Sequence, residues 1–211
     1  EYNLEHFIHL SALGVDKAID SNYAKSKLEG EKEILKNFPL STILRPSVVF
    51  SVEDSFTCNF MSLLNRLPIF PLYFGGQTRF MPIFAGDLTD IIYNITSKKI
   101  DTQIIECVGP ETITLKEIIE KLLKLIGKKR LLVPMPLFLG KLTAQFFQYF
   151  PKPLLTPDQL RLLQYDNVTS NQYKTNTDIG LPAKSLFEIE VEKYCYMWRE
   201  GGQFSKKNFE V

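Results

Sequence analysis

A tyrosine and a lysine four positions apart, Tyr23 and Lys27, are the residues of this sequence best suited to carry chemistry. Residues at this spacing lie on one face of a helix, so their side chains are expected to be neighbours. A lysine ammonium beside a phenol lowers the phenol pKa, which predicts a tyrosine that exchanges a proton near neutral pH. The same ammonium is suited to hold a ribose hydroxyl. The simpler alternative is that both are ordinary surface residues of a helix.

The elements around this pair predict where it lies in the fold. Ser21 and Asn22 are typical of a helix start, and Pro39 is typical of a helix end. One short apolar run precedes the helix and another follows it, as expected of buried strands. A strand, a helix and a second strand form a βαβ unit, which indicates a parallel sheet with helices on its faces. The predicted segments are a strand at 6–10, a helix at 23–36 and a strand at 41–50.

Beyond this unit the sequence predicts short helices alternating with strands. Thr114 with Glu117, and Ser185 with Glu188, have the spacing of capping boxes at helix starts. Asp87 is interpreted as a helix cap. The predicted helices are at 59–67, 86–96, 115–126 (closed by Gly127), from 157 onward and from 185 to 199; the predicted strands are at 81–85 and 104–108, with a turn at 75–78.

The composition is that of an ordinary globular protein. The chain has 211 residues, of which 45% are hydrophobic and 23% charged, which excludes a disordered chain, a collagen and a simple coiled coil. A net charge of +1 gives no reason to expect nucleic-acid binding. Three cysteines and two histidines at these spacings predict no metal site, and the thiols are expected to be reduced, as in the cytoplasm. Neither a transmembrane segment nor a secretory leader is expected.

Pro136 to Phe150 form an unusually apolar segment, which predicts a helix with apolar side chains around most of its circumference. The segment is too short to span a bilayer. Two interpretations stay open. It is either a core helix of a second lobe or a surface that contacts a partner protein or the boundary of a membrane.

Several stretches follow the Tyr-x-x-x-Lys pair in a recognisable order: Ile43–Phe50, Gly75–Phe80, Phe84–Leu88, Cys107–Thr114 and Asp178–Pro182. Together with the pair they resemble the extended short-chain dehydrogenase/reductase family, the superfamily of NAD-dependent epimerases and dehydratases. The resemblance covers nearly the whole chain and implies an α/β fold of Rossmann type with a nicotinamide dinucleotide as cofactor. It also implies that the tyrosine is a proton donor and acceptor, and that the lysine lowers its pKa and holds the ribose.

Four further motifs resemble a narrower group: Arg45-Pro46-Ser47, Glu53–Phe56, Leu155–Gln159 and Asp166–Val168. They are similar to the nucleotide-binding accessory subunits of respiratory complex I, in their bacterial branch. This resemblance implies a protein that binds NADP(H) or NAD(H) and supports complex I or quinone metabolism with little or no turnover. It also implies a cytoplasmic protein, peripheral on the inner membrane, that contacts complex I subunits through the predicted helix at 136–150.

One position departs from the catalytic members of the wider family. Those members have a Ser or Thr at the end of the strand before the tyrosine, where this chain has Ala12. Ser11 is the nearest candidate for the catalytic role, but a shift of one residue on a strand points a side chain to the opposite face. This departure favours binding over catalysis. The alternative is an active oxidoreductase, epimerase or dehydratase on a nucleotide sugar or quinone precursor, with Tyr23 and Lys27 as its catalytic pair.

A second departure concerns the cofactor. The Gly-x-Gly-x-x-Gly fingerprint is absent, so most of the dinucleotide is expected to be bound by a segment upstream of Glu1. The chain is then the C-terminal half of a Rossmann-type parallel sheet plus a small, mostly helical α/β lobe. A truncated remnant without autonomous cofactor binding is a third interpretation. The predicted bounds are 1–100 for the Rossmann half, interleaved with the lobe at about 51–80, then 101–200 for the lobe and 201–211 for a flexible tail.

The resemblance implies that the nicotinamide end of the cofactor is contacted by Tyr23, Lys27 and the loop Pro46-Ser47-Val48-Val49. It also implies a substrate contact, because Arg79 corresponds to a residue that contacts the substrate diphosphate in nucleotide-sugar members of the family. A structural ion pair is an equal alternative for Arg79.

Overall fold

The structure is a computed structural model, and it describes residues 6–98, 100, 102–136, 138–140 and 156–204. No helix within these ranges is long and apolar enough to cross a membrane. The helices are α1 (Asn22–Asn37), α2 (Thr57–Arg66), α3 (Ala85–Lys98), α4 (Leu115–Ile126), α5 (Pro157–Leu162) and α6 (Phe187–Glu192). The strands are β1 (Ile8–Leu10), β2 (Thr42–Pro46), β3 (Val49–Phe50), β4 (Ile69–Tyr73), β5 (Arg79–Phe80), β6 (Ile83–Phe84), β7 (Ile104–Cys107), β8 (Ile113–Thr114), β9 (Leu131–Met135) and β10 (Lys174–Thr175).

A sheet of four parallel strands, in the order β1-β2-β7-β10, forms the centre of the fold. Leu44 of β2 lies opposite Ile105 of β7, and both are fully buried. They pack in one cluster with Ile91 and Ile95 of α3, so one face of the sheet is covered by apolar contacts with that helix. The predicted α/β fold with a parallel sheet is therefore confirmed.

Helix α1, which connects β1 to β2, is held to the sheet by a buried ion pair. The Arg45 side chain leaves β2 on the face opposite Leu44, because side chains alternate along a strand. Its guanidinium donates to both carboxylate oxygens of Glu31 at 2.9 and 2.7 Å and to Asp16 at 2.9 Å. Arg45 and Glu31 are 2% and 3% exposed, so this charge is paired and hydrogen-bonded inside the protein.

A second hydrophobic core lies between α2, α4 and α6. The predicted capping box of α4 is present, with the Glu117 N–H donating to the Thr114 hydroxyl and the Thr114 N–H donating to the Glu117 carboxylate. Gly127 ends the helix in the left-handed conformation, at φ 67°. Three strand pairs, β3–β6, β4–β9 and β5–β8, lie around this core. Its largest fully buried members are Phe50, Met61, Leu64, Ile118, Ile119, Leu122 and Phe187.

The predicted single strand at 41–50 is divided into two. Strand β2 ends at Pro46, and β3 pairs with β6 outside the four-stranded sheet. The division occurs at Val48, whose N–H donates to the side chain of Asn167 instead of to a neighbouring strand. Local hydrophobicity continues through this point, so the sequence pattern gives no sign of the break.

The predicted capping box of Ser185 and Glu188 is wrong. Helix α6 begins after Leu186 without a side-chain cap, and it ends at Glu192 rather than at 199. Glu188 is instead bonded to two lysines of α4, at 2.9 Å each. Asp87 does not act as a helix cap either, because its carboxylate accepts the backbone N–H of Ser185 at 2.9 Å. Both carboxylates have partners far away in the sequence, which local spacing cannot indicate.

Two predictions fall mainly on residues outside the described ranges. They are the apolar helix at 136–150 and the flexible tail at 201–211, of which the structure describes 136, 138–140 and 201–204. The predicted domain bounds also stay a prediction.

Candidate functional site

The first turn of α1, which carries Tyr23, is capped by two different segments of the chain. Ser21 is the N-cap residue, and its hydroxyl accepts the Ala24 N–H at 3.2 Å. Asp158, from the start of α5, accepts the N–H groups of Asn22 and Tyr23 at 2.9 and 3.0 Å and the Ser21 hydroxyl at 2.9 Å. Backbone donors at a helix start have no partner within the helix, so these bonds satisfy them and fix the position of the first turn.

Tyr23 and Lys27 lie together on α1, near the carboxyl end of β1. The Lys27 ammonium is 6.0 Å from the centre of the Tyr23 ring and donates to the Leu10 carbonyl at 3.1 Å. The Tyr23 side chain is half-exposed. Burial of its other half raises the pKa of the phenol above its ordinary value, because burial disfavours the charged phenolate. The expected lowering of the Tyr23 pKa by Lys27 is therefore wrong for this structure.

The strand before the tyrosine provides no hydroxyl bonded to it. Ser11 extends the β1–β2 pairing, with its N–H donating to the Leu44 carbonyl at 2.8 Å, and it is 5% exposed. Its hydroxyl oxygen is buried and has no hydrogen-bond partner among the described residues. Ala12 packs against an apolar cluster that includes Ala24 of α1. Neither residue supplies the hydroxyl that orients a substrate in the catalytic members of the resembled family.

The loop between β2 and β3 holds the other predicted cofactor contacts, Pro46, Ser47, Val48 and Val49. Pro46 ends β2 and Val49 begins β3, so the loop leaves the carboxyl edge of the sheet beside the end of β1. The Ser47 hydroxyl donates to the Asn167 side-chain oxygen at 2.6 Å, and the Val48 N–H donates to the same oxygen at 3.2 Å. The Ser47 hydroxyl is therefore engaged within the protein, and the backbone of the loop is held in place.

Arg79 forms an ion pair. Its guanidinium donates to one Asp166 oxygen at 3.0 and 2.7 Å, and its backbone N–H donates to the other at 2.8 Å. The hydrogen bond and the negative charge of Asp166 raise the pKa of Arg79. The structure therefore contains the ion pair, which was one of the two alternatives predicted for Arg79.

Sequence reasoning missed the segment that connects these pieces, which we call the crossing segment (residues 156–170). Besides Asp158, Asp166 and Asn167, it contributes Tyr165, whose hydroxyl donates to Asp20 at 2.9 Å. It also contributes Ser170, whose N–H and hydroxyl donate to the buried Glu106 of β7. The crossing segment thus contacts the carboxyl ends of β1, β2 and β7. The sequence signals in this segment were a predicted helix start at 156–158 and two family motifs, at 155–159 and 166–168.

The residues present fit the nicotinamide-ribose end of a dinucleotide. A lysine ammonium has three donors, and one Lys27 donor bonds to Leu10, which leaves two for ribose hydroxyls. Phosphate binding has no comparable support among the residues that the structure describes. Gly76 has a positive φ but packs against Lys116, where an added Cβ would meet the lysine Cβ at 2.9 Å, so it forms no phosphate cradle. Among the described residues no cluster of His, Cys, Asp or Glu could hold a metal ion.

Solved structures identify the class of fold. UDP-glucuronic acid 4-epimerase from Bacillus cereus, solved with UDP-glucuronic acid and NAD, matches 93% of this chain and 63% of its own length with a TM-score of 0.61 at 18% identity. UDP-glucose 4-epimerase from Thermus thermophilus, in complex with NAD, matches 92% and 64% with a TM-score of 0.61 at 14% identity. The chain has the Rossmann-type fold of these enzymes.

Sequence comparison points to a narrower group. No protein-family model matches the chain. The mitochondrial NADH dehydrogenase (ubiquinone) 1 alpha subcomplex subunit 9 of Mus musculus is 27% identical over 205 residues, which are 94% of this chain and 54% of the relative. The protein of that name from Arabidopsis thaliana is 26% identical over 93% of this chain and 51% of its own length. The chain thus spans about half the length of these relatives. The predicted resemblance to complex I accessory subunits is confirmed.

Proposed function

We propose that this protein binds NADPH or NADH as a non-catalytic or weakly active relative of the complex I accessory subunits, in respiration or quinone metabolism. The observation that carries the proposal is the placement of Tyr23 and Lys27 on the first two turns of α1, with the Lys27 ammonium 3.1 Å from the last carbonyl of β1. In parallel α/β sheets, ligands bind outside the carboxyl ends of the strands. The pair therefore lies where a nicotinamide-ribose would bind.

Each residue of the proposed site has a distinct role. The free donors of Lys27 hold the ribose hydroxyls, and the exposed side of the Tyr23 ring lies beside the same ribose. The loop Pro46–Val49 supplies backbone groups and the apolar Val48 and Val49 side chains at the nicotinamide. Binding of the pyrophosphate and adenine is assigned to the part of the relatives' length that this chain does not span.

The proposal favours binding over turnover for three reasons. A bound nicotinamide supplies a hydride, but a reductase also needs a proton donor and acceptor at the substrate. The Tyr23 phenol has a raised pKa, Ala12 has no hydroxyl, and the Ser11 hydroxyl is buried without a bond to Tyr23.

A second candidate function, oxidoreduction or epimerisation of a nucleotide sugar or quinone precursor, is favoured by the half-exposed position of the Tyr23 phenol beside Lys27.

We propose complex I subunits as partners and a peripheral position on the cytoplasmic side of the inner membrane. The support is the similarity to mitochondrial NADH dehydrogenase subunits over most of the chain. The segment 136–150 is the proposed contact because of its apolar sequence. A truncated remnant without autonomous cofactor binding is the third interpretation, and NADPH binding to the complete protein would exclude it.

The decisive experiment is the substitution Lys27→Ala in the complete protein, with NADPH affinity measured by fluorescence titration. Loss of a charged hydrogen bond to the ribose is expected to weaken binding by about 1–3 kcal/mol. Lys25→Ala is the matched control, because Lys25 is an exposed lysine on the same helix. An unchanged dissociation constant for Lys27→Ala, or equal weakening in both variants, would contradict the assignment of the site.

A further inference from the structure

The crossing segment places two polar side chains behind the proposed nicotinamide end. Asp158 bonds to the backbone of the first turn of α1, at the N–H groups of Asn22 and Tyr23. These contacts join positions more than 130 residues apart. Tyr23 is the second residue of α1, so its position depends on whether the first turn stays closed.

Asn167 makes the corresponding contacts on the other side of the site. Its side-chain oxygen accepts from the Ser47 hydroxyl and the Val48 N–H, and its side-chain nitrogen donates to the Leu13 carbonyl at 2.9 Å. Leu13 belongs to the loop after β1, and Ser47 and Val48 belong to the loop after β2. One amide group therefore fixes the distance between the two loops at the carboxyl edge of the sheet.

We propose that Asp158 and Asn167 are positioning residues of the dinucleotide site: Asp158 sets Tyr23 and Lys27, and Asn167 sets the loop Pro46–Val49. This inference rests on the proposed function. Neither side chain is assigned a contact with the cofactor. Their role is to hold the two groups that contact it at a fixed separation, which lowers the ordering cost of binding.

The chemistry of the two contacts supports this role. The donors at the start of a helix favour a negative charge, and Asp158 provides one without using any residue of the site itself. The backbone N–H of Val48 points away from any strand partner, and only an acceptor in a fixed position keeps it satisfied. An amide side chain can accept at Val48 and donate at Leu13 at the same time, which a carboxylate cannot do.

The test compares Asp158→Ala and Asn167→Ala in the complete protein with two matched controls. Asp178→Ala removes a carboxylate that, like Asp158, accepts a backbone N–H and a hydroxyl, both from Thr175. Asn176→Ala removes an amide that accepts the Val108 N–H and donates to the Leu181 carbonyl. The dissociation constant of NADPH is measured at a temperature where circular dichroism shows every variant to be folded. Amide hydrogen exchange at residues 22–27 is measured on the same samples.

Both test variants are expected to raise the dissociation constant about fivefold, as a lost cap or bridging hydrogen bond does, while both controls leave it unchanged. Asp158→Ala is also expected to speed exchange at residues 22–27, and Asp158→Asn to recover part of the affinity because its amide oxygen still accepts.

Two results would overturn the inference. One is an unchanged dissociation constant in the test variants beside a wild type that binds NADPH. The other is equal weakening in test and control variants, which would reflect general destabilisation. If the wild type itself fails to bind NADPH, the proposed function fails and the positioning roles fail with it.

Discussion

At the scale of single residues, the partner of the Lys27 ammonium determines what Tyr23 can do. The ammonium is 3.1 Å from the Leu10 carbonyl and 6.0 Å from the centre of the Tyr23 ring. The ammonium is therefore closer to the Leu10 carbonyl than to the centre of the Tyr23 ring. Partial burial of the ring raises the pKa of the Tyr23 phenol. A tyrosine in this state is protonated at neutral pH.

The phenol of Tyr23 is accordingly expected to ionise above pH 10, its ordinary value. The measurement is the absorbance of tyrosinate during an alkaline titration, taken as the difference between the wild type and Tyr23→Phe. An ionisation below pH 10 would contradict the structure and favour the enzymatic alternative. In that case Tyr23→Phe should also abolish any oxidation of NADPH.

The sequence could predict the pair but not its electrostatics. A spacing of four residues places Tyr23 and Lys27 on one helix face, and they do lie there. The direction of the ammonium depends on the carbonyl that β1 offers, and the pKa depends on burial of the ring. Both are properties of packing between elements, which a spacing does not encode.

At the scale of elements, α1 is fixed to the sheet by charge as well as by apolar contact. The Arg45 guanidinium is buried against Glu31 of α1 and lies 4.7 Å from the centre of the Tyr173 ring. Burial alone would lower the pKa of Arg45, but the hydrogen bonds and charges of Glu31 and Asp16 outweigh it and raise the pKa. The guanidinium is therefore charged at all accessible pH values, and its partners must be present for it to remain buried.

Glu31→Ala is expected to lower the free energy of unfolding by about 3–5 kcal/mol, because it leaves the Arg45 charge buried with half of its partners. Urea denaturation followed by circular dichroism measures the change. Glu33→Ala is the control, since Glu33 is an exposed carboxylate two positions further along the same helix. Similar, small losses in both variants would show that the buried pair makes no special contribution.

Some helices and strands could be predicted from their local sequence, and others could not. Helix α4 has a capping box, an apolar stripe and a terminal glycine, and the structure follows all three. Strands β4 and β9 were not predicted, and each contains a proline, Pro71 and Pro134, a residue that is uncommon inside strands. Each pairs with the other alone in a two-stranded sheet, where a proline can leave its missing donor on the outer side.

At the scale of the whole molecule, acidic residues connect distant parts of the chain. Asp158 joins α5 to α1, Asp166 joins the crossing segment to β5, and Glu188 joins α6 to α4. Burial alone would raise the pKa of Asp158 and Asp166, but hydrogen bonds outweigh it and hold both pKa values below their ordinary range. The hydrogen bonds from two lysines lower the pKa of Glu188.

These lowered pKa values predict that stability falls as the solution is made acidic. A carboxylate whose pKa is lower in the folded state stabilises the protein fully above its unfolded pKa of about 4, and this contribution is lost as the pH falls through the folded value. His9 also lowers the stability on acidification, but at a higher pH than the carboxylates. Burial, aided by the charge of Lys27, lowers the pKa of His9, so the unfolded state takes up this proton at a higher pH than the folded state does. The free energy of unfolding is therefore expected to be roughly constant between about pH 7 and pH 8 and to decline on acidification below that range, most steeply under about pH 4. Urea denaturation at a series of pH values measures this, and Asp158→Asn should flatten the acidic part of the curve. A wild-type stability that rises on acidification, or an unchanged slope in that variant, would refute the role assigned to these long-range carboxylates.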